Sequence, residues 1–346
     1  MRVLQAIAGA QFGGAERFFE RLVPALQRAG VVQRVLLRKN ERRSRLLAEE
    51  GVGDLHQLPF GNRLDLITRL AFRKQIRDFA PDIVFTWMSR ASLMAPTSPT
   101  RGTSFVRVAR LGGYYDLKYY QGCDYLVGDT QAIVDYVTAE GWPAEKAVYL
   151  PNFVADKAGS PIARSEFYVP EGAPLLLALG RLHGNKGFDV LLRAMAQLPE
   201  AYLLLAGAGP EQASLEALAT KLGVKPRVRF LGWREDTANL LATADLFVHP
   251  ARHEPLGNVI IEAWMQRRPV VSTAAQGPQV LIEDGVTGRL TPVDQPVPLA
   301  AAIRAVLADR GHAAAMAEAG RQVYQQSYTE AAVVANYLAF FERIIG

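Results

Sequence analysis

The 346-residue chain contains one cysteine, Cys123, which excludes a disulfide framework and any cysteine-rich zinc site. A lone thiol also fits a reducing compartment. No apolar run reaches the roughly 18 residues that a membrane-spanning helix needs. The opening "MRVLQAIAG" lacks the apolar stretch and cleavage site of a secretory signal, and reads as a strand entering a turn. Histidine is scarce: there are five in all, and only His56 comes before His183. Internal repeats and low-complexity tracts are absent.

What is present is a chain 49% hydrophobic, long enough for about two domains of roughly 100–200 residues. The net charge of +5 is unevenly divided. Residues 1–165 carry 23 Lys and Arg against 16 Asp and Glu, while residues 166–346 carry 16 against 18. A basic half beside a near-neutral half points to an anionic partner for the first, although a solvated, soluble surface gives the same numbers. Charge this modest, with no recognition module, disfavours nucleic acid.

Short apolar runs alternate with amphipathic helical patterns. Strands are predicted at 2–8, 32–37, 82–87, 104–110, 124–129 and 147–151, then again at 174–180, 201–207, 227–232, 244–250, 268–273 and 287–292. Helical spacing fills the intervals, as in 16–29, 64–79, 188–198 and 211–222. Such alternation predicts parallel sheets covered on both faces. It occurs twice, separated by the Pro-, Gly- and Ala-rich stretch 151–174. The expected architecture is α/β: two Rossmann-like, doubly wound domains facing across a cleft, 1–165 and 166–325. An amphipathic C-terminal helix (326–346), with Thr329 as a plausible N-cap, crosses back to the first domain.

Ligands of such sheets bind beyond the carboxyl ends of the strands, so residues that follow strands carry the most information. "AGAQFGGAERFFERL" (8–22) follows the first strand; Gly13 and Gly14 allow close backbone approach before a helix start. An ordinary turn looks the same, and the dinucleotide fingerprint Gly-x-Gly-x-x-Gly is absent. In "LALGRLHGNKGFDVLLRA" (177–194), Arg181 and Lys186 lie between a strand end and a helix start, where two cations suit a diphosphate. In "LLAGAGPEQASL" (204–215), Gly207 and Gly209 admit a flat ring or ribose. Trp233 in "FLGWRED" is placed either to flank a nucleobase or to pack at a domain edge.

"RHEPLGNVIIEA" (252–263) follows the strand "ADLFVHP". Pro255, Leu256 and Gly257 make a turn, and N–H groups near Leu256, Gly257, Asn258 and Val259 are available to an anion at the helix start. Glu254 precedes the turn and Glu262 lies one to two turns into the helix, so the two carboxylates are placed to grip hydroxyls at opposite ends of a nucleoside diphosphate sugar. In isolation, an acidic cap and a surface glutamate explain them as well. His249 reads as structural and His253 as at most a secondary donor contact.

Taken together, "GRLHGNKG", "AGAGPE", "FLGW", "EPLGNVIIEA" and "RPVVSTAAQGPQVLIEDGVTGRL", with "FGGAE" and "LPNFV", resemble a GT-B glycosyltransferase of the family 4 type. The resemblance spans nearly the whole chain and is strongest from about 174 to 292; the Glu-x7-Glu spacing with its tail is its specific element. It implies retaining transfer of a sugar from a nucleotide sugar, with uridine or guanosine the expected base and no cofactor. Arg181 and Lys186 would bind the diphosphate and stabilise the departing charge. Glu254 would hold donor-sugar hydroxyls and Glu262 the ribose, with Gly13, Gly14, Gly209, Trp233 and the 256–259 backbone completing the donor site. No Asp-x-Asp occurs, so a metal-bridged diphosphate is not expected.

One departure stands out. Many relatives place a histidine after a central strand of the first domain, whereas "FVRVARLGGYYDLKYYQGCD" (105–124) has none. Arg107, Arg110, Lys118 and Tyr114 there suggest a site for a phosphorylated or sugar-rich glycan or glycolipid acceptor; a packed loop is the competing explanation. "RKNERRSR" (38–45) and "RLAFRKQIRDF" (69–79) suit contact with an anionic membrane surface, or an ordinary amphipathic helix. The resulting expectation is a cytoplasmic glycosyltransferase, peripheral at the inner membrane face, acting in lipopolysaccharide core or other envelope glycan synthesis. A sugar-nucleotide epimerase on the same fold and a non-catalytic nucleotide-sugar-binding protein are the alternatives.

Overall fold

The computed structural model describes residues 1–10, 13–62, 64–97, 104–154 and 156–346. The chain divides into two units: Met1–Phe153 together with Glu330–Gly346, and Val154–Thr329.

In the first unit the order is β1 (Arg2–Ile7), α1 (Gly14–Arg28), β2 (Val32–Arg38), α2 (Glu41–Glu49), β3 (Leu55–Leu58), α3 (Leu66–Phe79), β4 (Ile83–Trp87), α4 (Met88–Met94), β5 (Val106–Leu111), β6 (Tyr125–Gly128), α5 (Gln131–Ala139) and β7 (Ala147–Tyr149). The strands form one parallel sheet in the order β3-β2-β1-β4-β5-β6-β7. Polar side chains start the helices where the strands end. Asn40, Asp65 and Thr130 each accept from the backbone N–H three residues on, at 3.0, 2.9 and 3.1 Å. Each satisfies a donor that the first turn leaves unpaired. The strand β3 escapes sequence reading because "LHQL" is short, polar and on the sheet edge.

The second unit runs β8 (Leu175–Leu179), α6 (Phe188–Met195), β9 (Tyr202–Ala206), α7 (Gln212–Lys221), β10 (Val228–Gly232), α8 (Thr237–Thr243), β11 (Leu246–His249), α9 (Asn258–Met265), β12 (Val270–Thr273), α10 (Pro278–Leu281), β13 (Arg289–Thr291), α11 (Pro296–Ala308) and α12 (Arg310–Ser327). Its parallel sheet is ordered β10-β9-β8-β11-β12-β13. Every side chain of "LLLAL" in β8 is buried, as a strand covered on both faces requires. The division at Phe153/Val154 falls before the expected 165/166, because residues 159–162 belong to the second unit. Gly159, Ser160 and Ile162 donate their N–H groups to Gln266, Asn239 and Thr243 at 3.1, 3.0 and 2.8 Å.

The last helix, α13 (Glu330–Ile345), completes the core of the first unit. Val333, Val334, Tyr337, Phe340 and Phe341 pack with Phe18, Phe19, Phe85 and Trp87. Ring centroids of Phe85 and Phe341 lie 5.7 Å apart, edge to face.

In each sheet the strand order reverses direction at one point: between β1 and β4, and between β8 and β11. Loops leaving adjacent strands there diverge to opposite faces and leave a crevice.

Candidate active site

At the switch point of the second sheet, the loop after β8 meets the loop after β11. Gly187 has φ 63°, and a Cβ built on it lies 2.0 Å from the Pro250 carbonyl oxygen, so only glycine permits this approach. The backbone N–H groups of Arg252 and His253 both donate to the Asn185 carbonyl, at 2.8 and 3.0 Å. The Arg252 guanidinium forks onto Asp189 at 2.7 and 2.8 Å and also reaches Asp294 at 2.5 Å. That hydrogen bonding holds the Asp189 carboxyl below the usual carboxylate range. The loops are thus laced together before any ligand arrives.

This lacing brings Lys186 and Glu254 into contact, with Nζ to Oε2 at 2.5 Å. His249, at the end of β11, places Nε2 3.3 Å from the same Oε2 and Nδ1 3.4 Å from Ser272 Oγ. Burial pushes the Glu254 carboxyl up. The hydrogen bond from His249, the charges of Lys186 and His249, and the Lys186 hydrogen bond outweigh it and bring it down to about 2. Glu254 is therefore a carboxylate at any working pH, and its two partners, Lys186 and His249, both engage Oε2.

A depressed carboxyl stabilises the fold above its unfolded value near 4.5, and that stabilisation is lost as pH falls toward about 2. Between pH 5 and 3 the loss is about 2 kcal/mol, which corresponds to roughly 4–8 °C for a unit of this size. The Tm advantage of wild type over Glu254→Gln is expected to shrink by that much in thermal melts at the two pH values. A gap unchanged by pH would show that Glu254 is not held this way.

Glu254 leads into the turn before α9. Gly257 takes φ 93°, and Gly277 sits so close that a Cβ there would lie 2.6 Å from the Leu256 carbonyl oxygen. Leu256 and Gly257 are buried, and α9 begins at Asn258, followed by Val259. The Oδ1 of Asn258 is buried without a partner among the described residues. Glu262 is half-buried on α9, four residues beyond Asn258 and hence on the same helix face. The N-terminus of α9, Glu254 and Lys186 thus form one connected group.

Arg181 is exposed just beyond β8. Gly207 and Gly209 are explained by the protein itself. Their built Cβ atoms lie 1.8 Å from the Gly180 oxygen and 2.2 Å from the Leu182 oxygen, so the loop after β9 rests directly on the loop after β8. Trp233 follows β10 with 60% of its surface exposed.

Gly13 and Gly14 lie in the first unit, where they open α1. A Cβ at Gly13 would lie 2.1 Å from Glu16 Oε2, and Glu16 Oε1 accepts from the Ala10 N–H at 2.7 Å. The small residue thus makes room for a carboxylate of the chain itself, which already sits at the positive end of the α1 dipole.

The stretch 105–124 does not assemble as one cationic patch. Arg107 stands near the amino end of β5, and its guanidinium donates to the Gly122 carbonyl. Arg110 is three residues along the strand, hence on the other face. It is fully buried: Nε donates to Tyr337 Oη at 3.0 Å, Nη2 to Asn152 Oδ1 at 2.5 Å, and Asp129 lies 3.6 Å away. The expectation that Arg107 and Arg110 face an acceptor is corrected: both are buried and bonded to internal groups, with only Arg107 Nε and Arg110 Nη1 left without a partner among the described residues. Lys118 is exposed and paired with Asp116 at 2.5 Å, while Tyr114 is 42% exposed and stacks edge-on against Tyr136.

His249 is the contributor that sequence reading undervalued. Its place at a strand end was visible, but its contact with Glu254 was not. Among the described residues, no helix is long and apolar enough to cross a membrane.

The model for glycosyl transferases group 1 matches residues 161–323, and that for glycosyltransferase family 4 matches residues 12–157. LpsE of Rhizobium meliloti (strain 1021), a lipopolysaccharide core biosynthesis glycosyltransferase, is 37% identical over 94% of this chain and 95% of its own. LpsD of the same organism is 33% identical over 99% and 98%. The structure of Anabaena HepE in complex with UDP has a TM-score of 0.87 at 21% identity, covering 99% of this chain and 100% of that one. The sheets, their order and these relatives agree: the chain belongs to the group 1, family 4 glycosyltransferases and has the GT-B fold.

Proposed function

We propose that this glycosyltransferase moves a hexose, with retention and without a metal ion, from a nucleoside diphosphate sugar to an acceptor in lipopolysaccharide core assembly. The observation that carries the reading is the Lys186–Glu254 pair at the switch point, beside the start of α9. Lys186 and Arg181, with the α9 N–H groups, supply the positive field that a diphosphate needs. Glu254 Oε1 accepts from a donor-sugar hydroxyl while Oε2 stays with Lys186 and His249, and Glu262 accepts from the ribose. The acceptor hydroxyl attacks the anomeric carbon as the bond to the β-phosphate oxygen breaks, and the departing phosphate takes the hydroxyl proton on the same face. Support for the acceptor class comes from the lipopolysaccharide core names of LpsE and LpsD, and support for a uridine donor from UDP in HepE.

A thermal-shift series with UDP-, GDP- and ADP-hexoses tests the donor. At about 100 times Kd the preferred donor adds about 2.7 kcal/mol, or roughly 5–10 °C. NMR of the product made with core oligosaccharide then reads the anomer. No shift with any nucleoside diphosphate sugar would overturn the donor reading, and an inverted product would overturn retention.

A further inference from the structure

Within the basic run 38–45, Arg38, Lys39, Arg42 and Arg45 are exposed, but Arg43 turns inward and is fully buried. The start of α2 dictates that turn. Asn40 caps the helix by accepting from the Arg43 N–H at 3.0 Å. Residue 43 is thereby seated in the first turn, on the buried face that continues at Leu47 four residues on.

The Arg43 guanidinium then joins two elements. Nε donates to Glu20 Oε1 at 2.9 Å, and Nη2 donates to the Ala10 carbonyl at 3.0 Å. Glu20 is 7% exposed on α1, with Arg42 Nη1 3.4 Å from its carboxylate. One helical turn earlier, Glu16 Oε1 accepts from the Ala10 N–H at 2.7 Å. Two carboxylates four residues apart on one face of α1 thus act on the two ends of a single residue. Glu16 holds the Ala10 N–H directly, and Glu20 holds the Ala10 carbonyl through Arg43.

Stability does not call for this arrangement. Ala10 is exposed, so water can satisfy both of its backbone groups. A buried ion pair is itself expensive, since taking both charges out of water can cost more than their attraction gains. Arg43 Nη1 adds to that cost, being buried without a partner among the described residues. What the pair does supply is a fixed place for the main chain. Ala10 lies three residues beyond β1, where the strand order reverses between β1 and β4, and ligands of such sheets bind at that point.

We propose that Arg43 is a positioning residue for the sugar transfer: paired with Glu20, it fixes the loop after β1 by its Ala10 carbonyl in the shape that turnover requires. Arg43 acts through the main chain of Ala10 and touches no reactant. A guanidinium suits the task because its planar fork spans a carboxylate and a carbonyl at once. The inference rests on the transfer reaction proposed above, whichever donor serves it.

The test uses the full chain and two variants. Arg43→Met/Glu20→Leu replaces the pair with apolar side chains, a change that is often neutral or stabilising for a buried pair. Arg43→Lys keeps the charge beside Glu20 and gives up the fork. Both are expected to melt within about 3 °C of wild type, a shift worth under about 1 kcal/mol. Turnover of UDP-glucose with core oligosaccharide is expected to fall about 10–100-fold in the double variant, because a misplacement of about 1 Å can cost about 10²-fold. Arg43→Lys should fall in the same direction. Ile76→Val, a core deletion on α3, is expected to melt lower and keep wild-type turnover well below its Tm. Without any substrate, the Ala10 amide should exchange about tenfold faster in the double variant, since the residue is then held at one end only. Wild-type turnover in the double variant, or unchanged Ala10 exchange, would overturn the proposal. So would turnover that falls only in step with Tm, as Ile76→Val calibrates it. If the wild type leaves UDP-glucose unused, the uridine donor reading fails, and GDP-mannose and ADP-glucose replace it in the same comparison.

Discussion

Lys186→Ala is expected to lower kcat by roughly 10²–10³-fold, the usual effect of removing one donor aimed at developing charge. The departing nucleoside diphosphate gains negative charge as the glycosidic bond lengthens, and Lys186 is the cation fixed on Glu254, just ahead of α9. The same change strips a partner from Glu254, a buried carboxylate whose Oε2 lies 2.5 Å from Nζ. An unpaired buried group costs about 1–3 kcal/mol, so alanine alone confounds rate with folding. Lys186→Gln separates them: the amide still donates to Glu254 but carries no charge. Thermal melts should place Lys186→Gln above Lys186→Ala, because the amide still donates to Glu254, and steady-state kinetics should find it still slow by two orders of magnitude or more. Turnover within a few-fold of wild type in that variant would end the assignment of Lys186 to the diphosphate.

Arg110→Ala is expected to destabilise the first unit by about 3–5 kcal/mol, because it leaves a buried carboxylate uncompensated. Asp129 is 8% exposed; burial raises its carboxyl, and Arg110 partly offsets that. Tyr337 and Asn152 lose their donor as well. The expected fall in Tm is roughly 6–20 °C by calorimetry. The sign with pH follows. Without Arg110 the Asp129 carboxyl rises further, and a raised acid favours the fold only where it is protonated, so the deficit shrinks toward acid and grows as pH rises. Adding Asp129→Asn should recover much of the loss. A melting temperature within about 2 °C of wild type, near the shift for about 0.5–1 kcal/mol, would show that the pair is not structural.

That prediction departs from the sequence reading, in which Arg110 faced an acceptor. A charged residue in a central strand looks like a site because its compensating partners are invisible. Asp129 stands just past the end of the neighbouring strand β6, and Tyr337 lies far off in sequence, on the last helix. The opposite limit is shown by Lys186 and Glu254. Each was legible from its place between a strand end and a helix start, but their contact depends on β8 and β11 being neighbours in the sheet, which nothing local in the chain announces. Periodicity reveals strands one at a time and leaves their order open. The helix-strand alternation, the repeat of that alternation and the amphipathic last helix were readable because apolar spacing is local. The edge strand β3 was not, since "LHQL" needs only one buried side. The glycines at 13, 207 and 209 were legible as positions of close approach. What approaches is a carboxylate or a backbone carbonyl of the chain itself, which spacing alone does not distinguish from a ligand.

The dependence of the first unit on α13 sets an order of assembly during synthesis. Val333, Tyr337, Phe340 and Phe341 fill a core whose remaining wall is made from Met1–Phe153. The segment translated first therefore leaves the ribosome with an open apolar face. The second unit, contiguous in sequence, is complete before the first is closed. At about 5–20 residues per second the exposed face waits on the order of 10–40 s for its last helix. A stop codon in place of Glu330 would spare the second unit while leaving the first without the helix that closes its core.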